Sequence, residues 1–137
     1  MRFIGIDPDV KKSGVALATD GRLDQLHTMD FWALIEFLDQ NPDAHIVIEA
    51  GWLNKTASYH PSKNQSTAAK IGAYVGANWQ IGKLLEEYCL YMNRVYSLVK
   101  PTRTKVDGRD FQLYTGWGKR TNSEERDAAM LIVGKIK

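Results

Sequence analysis

The stretch FIGIDPDVKKSGVAL, residues 3–17, decides the fold of this 137-residue chain. Two apolar runs, at residues 2–7 and 13–18, flank a short polar segment, and this pattern predicts a β-hairpin. The first run ends on a carboxylate, Asp7, where a buried strand should also end. A carboxylate in that position costs free energy unless a cation, backbone donors or a metal ion compensates its charge.

The rest of the chain adds strands and helices in an order typical of an α/β protein. Apolar periodicity and capping residues predict strands at 24–30, 44–50 and 94–99 and helices at 31–40, 66–87 and 123–136. The run at 44–50 is continuously apolar up to Glu49, as in a central strand covered on both faces. Because no repeat or linker divides the chain, we predict one α/β domain, residues 1–137, with a mixed sheet.

Composition limits the protein class and the cellular compartment that we expect. Hydrophobic residues make up 44% of the chain, which is enough for one sizeable core. The single cysteine, Cys89, excludes an internal disulfide framework. No signal peptide and no apolar stretch of membrane-spanning length is evident, so we expect a cytoplasmic protein without a membrane partner.

The charges are unevenly distributed along the chain. The net charge is −5 over residues 1–50, +7 over residues 51–120 and zero over residues 121–137. A solvated surface explains such a pattern, but so does a binding surface for a polyanion, because clustered Lys and Arg bind phosphates. The charge distribution alone leaves both interpretations open.

Four carboxylates favour a metal-dependent chemistry. Asp7 taken alone could cap a turn, but Glu49 repeats the same arrangement at the end of a second strand. Glu124 and Asp127 share one face near the start of the last helix, where Glu124 alone could simply complement the helix dipole. Converging carboxylates are better explained by divalent cations, since Mg²⁺ prefers oxygen ligands and paired metals promote phosphodiester cleavage.

Five segments, taken in order, resemble the motifs of RuvC-type Holliday junction resolvases of the RNase H-like nuclease superfamily. They are FIGIDPDVKKSGVAL, IVIEAGW, KIGAYVGANWQ, LVKPTRTK and EERDAAMLI. The resemblance implies a five-stranded mixed sheet flanked by helices, and a homodimer formed through the small residues at 68–77. It further implies two Mg²⁺ or Mn²⁺ ions per site and paired symmetric nicks in a four-way DNA junction, as in a compact phage-type member.

The resemblance also assigns roles to individual residues. Asp7, Glu49, Glu124 and Asp127 match the metal-binding carboxylates, and Lys100 matches a catalytic lysine. Trp52 stands where the family has an aromatic that stacks on bases, although a half-buried tryptophan is an equal alternative. The basic residues expected on the DNA backbone are Lys55, Lys63, Lys70, Arg103, Lys105, Arg109, Lys119 and Arg120, of which Lys105 also matches a second important lysine.

Two positions depart from the family pattern. Asp9 replaces the usual Gly, so we expect a rebuilt turn after the first strand, and Glu124 replaces the commoner Asp. Two other functions remain open: a branched-DNA nuclease that prefers flaps or forks, and a junction-binding protein without catalysis.

Overall fold

The computed structural model describes residues 1–53, 65–102 and 105–133, which form one mixed sheet with helices on both faces. The elements are β1 (Arg2–Asp7), β2 (Ser13–Thr19), β3 (Arg22–Met29), α1 (Phe31–Gln40), β4 (His45–Glu49), α2 (Gln65–Tyr91), β5 (Tyr96–Val99), α3 (Gly108–Thr115) and α4 (Ser123–Met130), with a 3-10 turn at Gly51–Leu53. The predicted α/β fold with a five-stranded mixed sheet is confirmed.

The last helix is shorter than the predicted 123–136. It ends at Met130 because the backbone tightens: the Leu131 and Ile132 amides donate to carbonyls only three residues earlier, those of Ala128 and Ala129. The start is as predicted, since Asn122 caps the helix and forms a capping box with Glu125. The remainder of the predicted helix, residues 134–136, lies outside the described residues.

The strand order, β3-β2-β1-β4-β5, places the ends of β1 and β4 side by side. These two strands are parallel and pair Ile6 with Ile48, so that Asp7 and Glu49 leave the sheet at the same edge. Strand β5 runs parallel to β4 and ends there too, with Lys100 as the next residue. On the other side, β2 is antiparallel to β1 and brings Gly14 opposite Asp7.

Strand alternation divides the core into two layers. Along β1, Ile4 and Ile6 face α1 and α2, whereas Phe3 packs on the side of α3 and α4. By the same alternation, Gly5 and Asp7 lie on the α4 side. The first layer includes the buried Cys89.

Helix α4 lies directly on β1 and β2 because glycines remove the side chains that would separate them. A Cβ atom added at Gly5 would lie 2.2 Å from the Ala128 carbonyl oxygen, and one added at Gly14 would lie 2.1 Å from the Glu124 carbonyl oxygen. Both distances are far below van der Waals contact. The first turns of α4 are therefore held against the end of β1.

Helix α2 packs on the sheet through its C-terminal half only. Leu85 and Cys89 are buried, whereas Gly72 and Gly76 are exposed, and Cβ atoms added to these glycines would meet no atom within 4 Å. Among the small residues expected at a homodimer interface, Gly72 and Gly76 therefore make no close approach to another element of this chain. No helix in the described parts of the chain is long and apolar enough to cross a membrane.

Candidate active site

Asp7 is the most strongly perturbed carboxyl group of the site. It lies at the end of β1, on the side of the sheet that faces helix α4, and is largely buried. Burial raises its pKa to about 8 from an ordinary value of 3.8, with help from the negative charges of Glu49, Asp127 and Glu124, while the Lys105 charge opposes the rise. All four predicted carboxylates thus interact around the end of β1.

Glu49, at the end of the neighbouring strand β4, also has a perturbed pKa. Burial raises the pKa of Glu49; the positive charge of Lys105 opposes this, and the negative charge of Asp127 adds to it. Two ionised carboxylates in one partly buried place repel each other and lose hydration, so the cluster favours a bound cation or a retained proton.

Lys105 supplies a cation inside this cluster. Its Nζ donates to Oδ2 of Asp127 at 2.9 Å. Partial burial by itself would lower the pKa of Lys105, but the bond to Asp127 and the charges of Asp127, Glu49 and Asp7 outweigh it and raise the pKa. The sequence placed Lys105 among the DNA contacts, whereas the structure places it against the predicted metal ligands.

A cavity of about 140 Å³ opens beside the cluster. Glu49 and Asp127 line it together with two lysines, Lys100 and Lys105. Lys100 is exposed at the end of β5, as expected for a residue that must reach a ligand from solvent. The cavity therefore combines carboxylate oxygens with two ammonium groups, a combination suited to a phosphate and its accompanying cation.

The donor set fits Mg²⁺ or Mn²⁺ in chemistry, since all four predicted ligands are carboxylates. Their arrangement is not that of a closed site: in residues 1–53, 65–102 and 105–133, no three Asp, Glu, His or Cys side chains are grouped closely enough to hold an ion. In this arrangement one oxygen of Asp127 is bonded to Lys105.

Trp52 packs against helix α2. A Cβ atom added at Gly82 would lie 2.4 Å from Cζ3 of the Trp52 ring, and one added at Gly51 would lie 2.5 Å from Nε1 of Trp79. The Trp52 ring therefore packs on Gly82 of α2, and the Trp79 ring of α2 packs on Gly51. These two contacts join the turn after Glu49 to α2. This is the half-buried arrangement that the sequence left as the alternative; stacking on a base stays a prediction for the exposed part of the ring.

Asp9 rebuilds the turn after β1, at the position where the family usually has Gly. Its Oδ1 accepts from the Lys11 amide at 2.8 Å, and its Oδ2 accepts from the Tyr74 hydroxyl at 2.8 Å. The Val10 amide donates to Oδ1 of Asn78 at 2.7 Å. The backbone φ of Asp9 is not positive, so this turn does not require glycine.

The other predicted DNA contacts lie outside the carboxylate cluster. Lys70 and Arg109 are exposed on α2 and α3, and Lys119 and Arg120 are exposed beside a second cavity of about 220 Å³ that β3 also lines. Exposure is what a contact to the DNA backbone requires, and these roles stay predictions. Three more, Lys55, Lys63 and Arg103, lie outside the described residues.

Sequence reasoning missed Arg126, which holds the segment after Lys105 on helix α4. Its Nε donates to the Val106 carbonyl at 2.9 Å, and its Nη1 donates to the Thr121 carbonyl and hydroxyl at 3.0 Å each. No sequence pattern reveals these partners. The role of Gly5 and Gly14 was also missed, although a signal exists: small residues alternate at 14, 16 and 18 on one face of β2.

Comparison with solved structures identifies the fold. The structure of RuvC from Thermus thermophilus matches with a TM-score of 0.58 and 12% identity over 97% of this chain and 92% of that chain. The chain has a RuvC-like fold. The RuvC of the same organism in complex with a Holliday junction substrate matches with a TM-score of 0.56 and 13% identity, over 97% of this chain and 90% of that chain. No protein-family model and no curated protein matches the sequence.

Proposed function

We propose that this protein is a metal-dependent endonuclease that resolves four-way DNA junctions by paired symmetric nicks. The observation that carries the proposal is the electrostatic interaction of Asp7 with Glu49, Asp127 and Glu124 at one edge of a RuvC-like fold. Support for the substrate comes from the similar RuvC that binds a Holliday junction substrate.

The carboxylates of Asp7, Glu49, Glu124 and Asp127 would hold two Mg²⁺ or Mn²⁺ ions. Such ions, when bound, activate water and neutralise charge on the scissile phosphate. Asp7, largely buried among its three acidic neighbours, would be one of these ligands. Lys100, at the mouth of the cavity, would orient the phosphate and stabilise the negative charge that develops on it, leaving 5′-phosphate and 3′-hydroxyl ends.

DNA binding would depend on the exposed basic residues of the middle of the chain. Lys70, Arg109, Lys119 and Arg120 are exposed and would contact phosphates without reading base sequence. Their contribution would therefore be similar for any DNA sequence and would weaken as salt increases.

A homodimer would match the near two-fold symmetry of a four-way junction and place one site on each of two strands. The N-terminal half of α2 is our candidate for the interface. Gly72 and Gly76 leave space there for the backbone of a second helix to approach closely.

Cleavage of labelled synthetic DNA tests the proposal. A four-way junction is compared with matched duplex, fork and flap substrates in Mg²⁺, Mn²⁺ or EDTA. The wild type is compared with Asp7→Asn and with Glu36→Gln, in which the exchanged carboxylate is exposed on α1. We expect symmetric nicks in the junction with metal, their loss in Asp7→Asn, and wild-type cutting by Glu36→Gln.

The alternatives give different results in the same experiment. Tight junction binding without nicks would indicate a junction-binding protein that lacks catalysis. Equal or faster cutting of flaps or forks would retain the metal-dependent chemistry and overturn the substrate assignment.

A further inference from the structure

The ammonium group of Lys105 is bonded to Asp127, one of the predicted metal ligands. It lies 2.9 Å from Oδ2 of Asp127, and its charge acts on both Asp7 and Glu49. Among the ion pairs that join described residues, Lys105–Asp127 is the one located in the carboxylate cluster. Without metal, the cluster is therefore partly neutralised by a cation of the chain itself.

A divalent cation and this ammonium cannot share Asp127 without cost. A metal ion bound to Asp127 would lie close to this ammonium, and two cations held close together in a partly buried place repel each other. Binding of metal would therefore favour departure of the ammonium group from Asp127.

The surroundings of Lys105 allow this departure. Its side chain is 59% exposed, whereas that of Asp127 is 20% exposed, so Lys105 has space to move into solvent while Asp127 stays in place. The next residue, Val106, is held by its carbonyl to Arg126. The backbone beside Lys105 is anchored, and its long flexible side chain can swing away.

We propose that Lys105 is the counter-ion of the metal-free carboxylate cluster, and that it leaves Asp127 when Mg²⁺ or Mn²⁺ binds and thereby sets the metal affinity of the site. This inference rests on the proposed function, because it concerns the metal of the same site. It assigns Lys105 a role toward the metal in addition to the expected contact with DNA.

Calorimetric titration with Mn²⁺ in the absence of DNA tests the exchange. Lys105→Met removes the competing charge and keeps a side chain of similar length, so we expect Mn²⁺ to bind about tenfold more tightly than to the wild type. Lys105→Arg keeps the charge and should remain within about twofold of the wild type. Lys83→Met is the control: Lys83 is exposed on α2 and forms no ion pair with a described carboxylate, and its loss should also change binding by less than about twofold.

A second measurement uses the wild type alone. In side-chain NMR spectra of lysine ammonium groups, Mg²⁺ should shift the Lys105 resonance as its bond to Asp127 breaks, and it should leave the Lys83 resonance of the exposed face of α2 unchanged. This readout does not depend on the folding of any variant.

The outcomes separate this inference from the proposed function. Equal or weaker Mn²⁺ binding by Lys105→Met, beside clear binding by the wild type, would overturn the inference and leave the metal site standing. An equal gain in Lys83→Met would also overturn it, since the gain would then come from the net charge of the protein and not from the bond to Asp127. Failure of Mn²⁺ to bind the wild type and Lys105→Met alike would overturn the metal-dependent function itself.

Discussion

The burial of Asp7 predicts an unusual dependence of stability on pH in the absence of metal. In the unfolded chain its carboxyl group releases its proton near pH 3.8, whereas in the folded protein the pKa is about 8. Between these values the folded state retains a proton that the unfolded state has lost. The free energy of unfolding therefore falls as pH rises from about 4 to about 8, and levels off above that.

The size of the effect follows from the shift. Each pH unit within this range costs ~1.36 kcal/mol, so the contribution of Asp7 to stability should fall by about 3.5 kcal/mol between pH 5 and pH 8. For a chain of this length that is about 10 °C in melting temperature. The raised pKa of Glu49 should add a smaller slope of the same sign.

Urea unfolding, followed by tryptophan fluorescence in EDTA from pH 5 to pH 8, measures this slope. Asp7→Asn cannot ionise and should lose most of it, whereas Glu36→Gln should keep the slope of the wild type. Saturating Mg²⁺ at pH 8 should restore stability to the wild type, by ~2.7 kcal/mol at one hundred times the dissociation constant. Asp7→Asn should gain much less.

Equal slopes in the wild type and Asp7→Asn would refute this reasoning. Asp7 would then titrate like an exposed carboxyl group, and the carboxylates would not converge as described. If the free energy of unfolding of the wild type rises with pH over the same range, the reasoning is refuted as well. A rise is expected for a carboxyl group whose charged form is stabilised in the folded state, which is the opposite of a raised pKa.

Two further predictions concern the support of the site and its DNA surface. Gly14→Ala should destabilise the protein by about 1–3 kcal/mol in thermal unfolding, because the added methyl group pushes against the Glu124 carbonyl and displaces α4. The same displacement should reduce junction cleavage, and cleavage at the wild-type rate would contradict this. Lys119→Gln should weaken junction binding equally for different DNA sequences and reduce the slope of log affinity against log salt by about 1 in binding titrations; an unchanged slope would remove Lys119 from the interface.

Local pattern was sufficient to predict the strands and the strand-end carboxylates. Asp7 and Glu49 end continuous apolar runs, and parallel pairing of β1 with β4 then brings both to one edge of the sheet. The start of α4 was equally predictable, because Asn122 and Glu125 form a capping box within four residues. The strand ends and the helix cap depend on residues that are close together in the chain, so a short stretch of sequence is enough to predict them.

Contacts between distant elements were decided by the tertiary structure. Lys105 pairs with Asp127 and Trp52 packs on Gly82, partners that the sequence did not indicate for either residue. Tyr74 bonds to Asp9, sixty-five residues away in the chain. No periodicity encodes such pairs.

Pattern in the sequence was enough to select the residues of the candidate chemistry: carboxylates at two strand ends and on the last helix, and a basic segment between them. How close these carboxylates come, and which cation accompanies them, depends on the packing of distant elements. The physical reason is that the distance between α4 and the sheet depends on Gly5 and Gly14, whose absent side chains let the helix carbonyls touch the strands. That approach sets the burial and mutual repulsion of the carboxylates, and with them the need for a counter-ion.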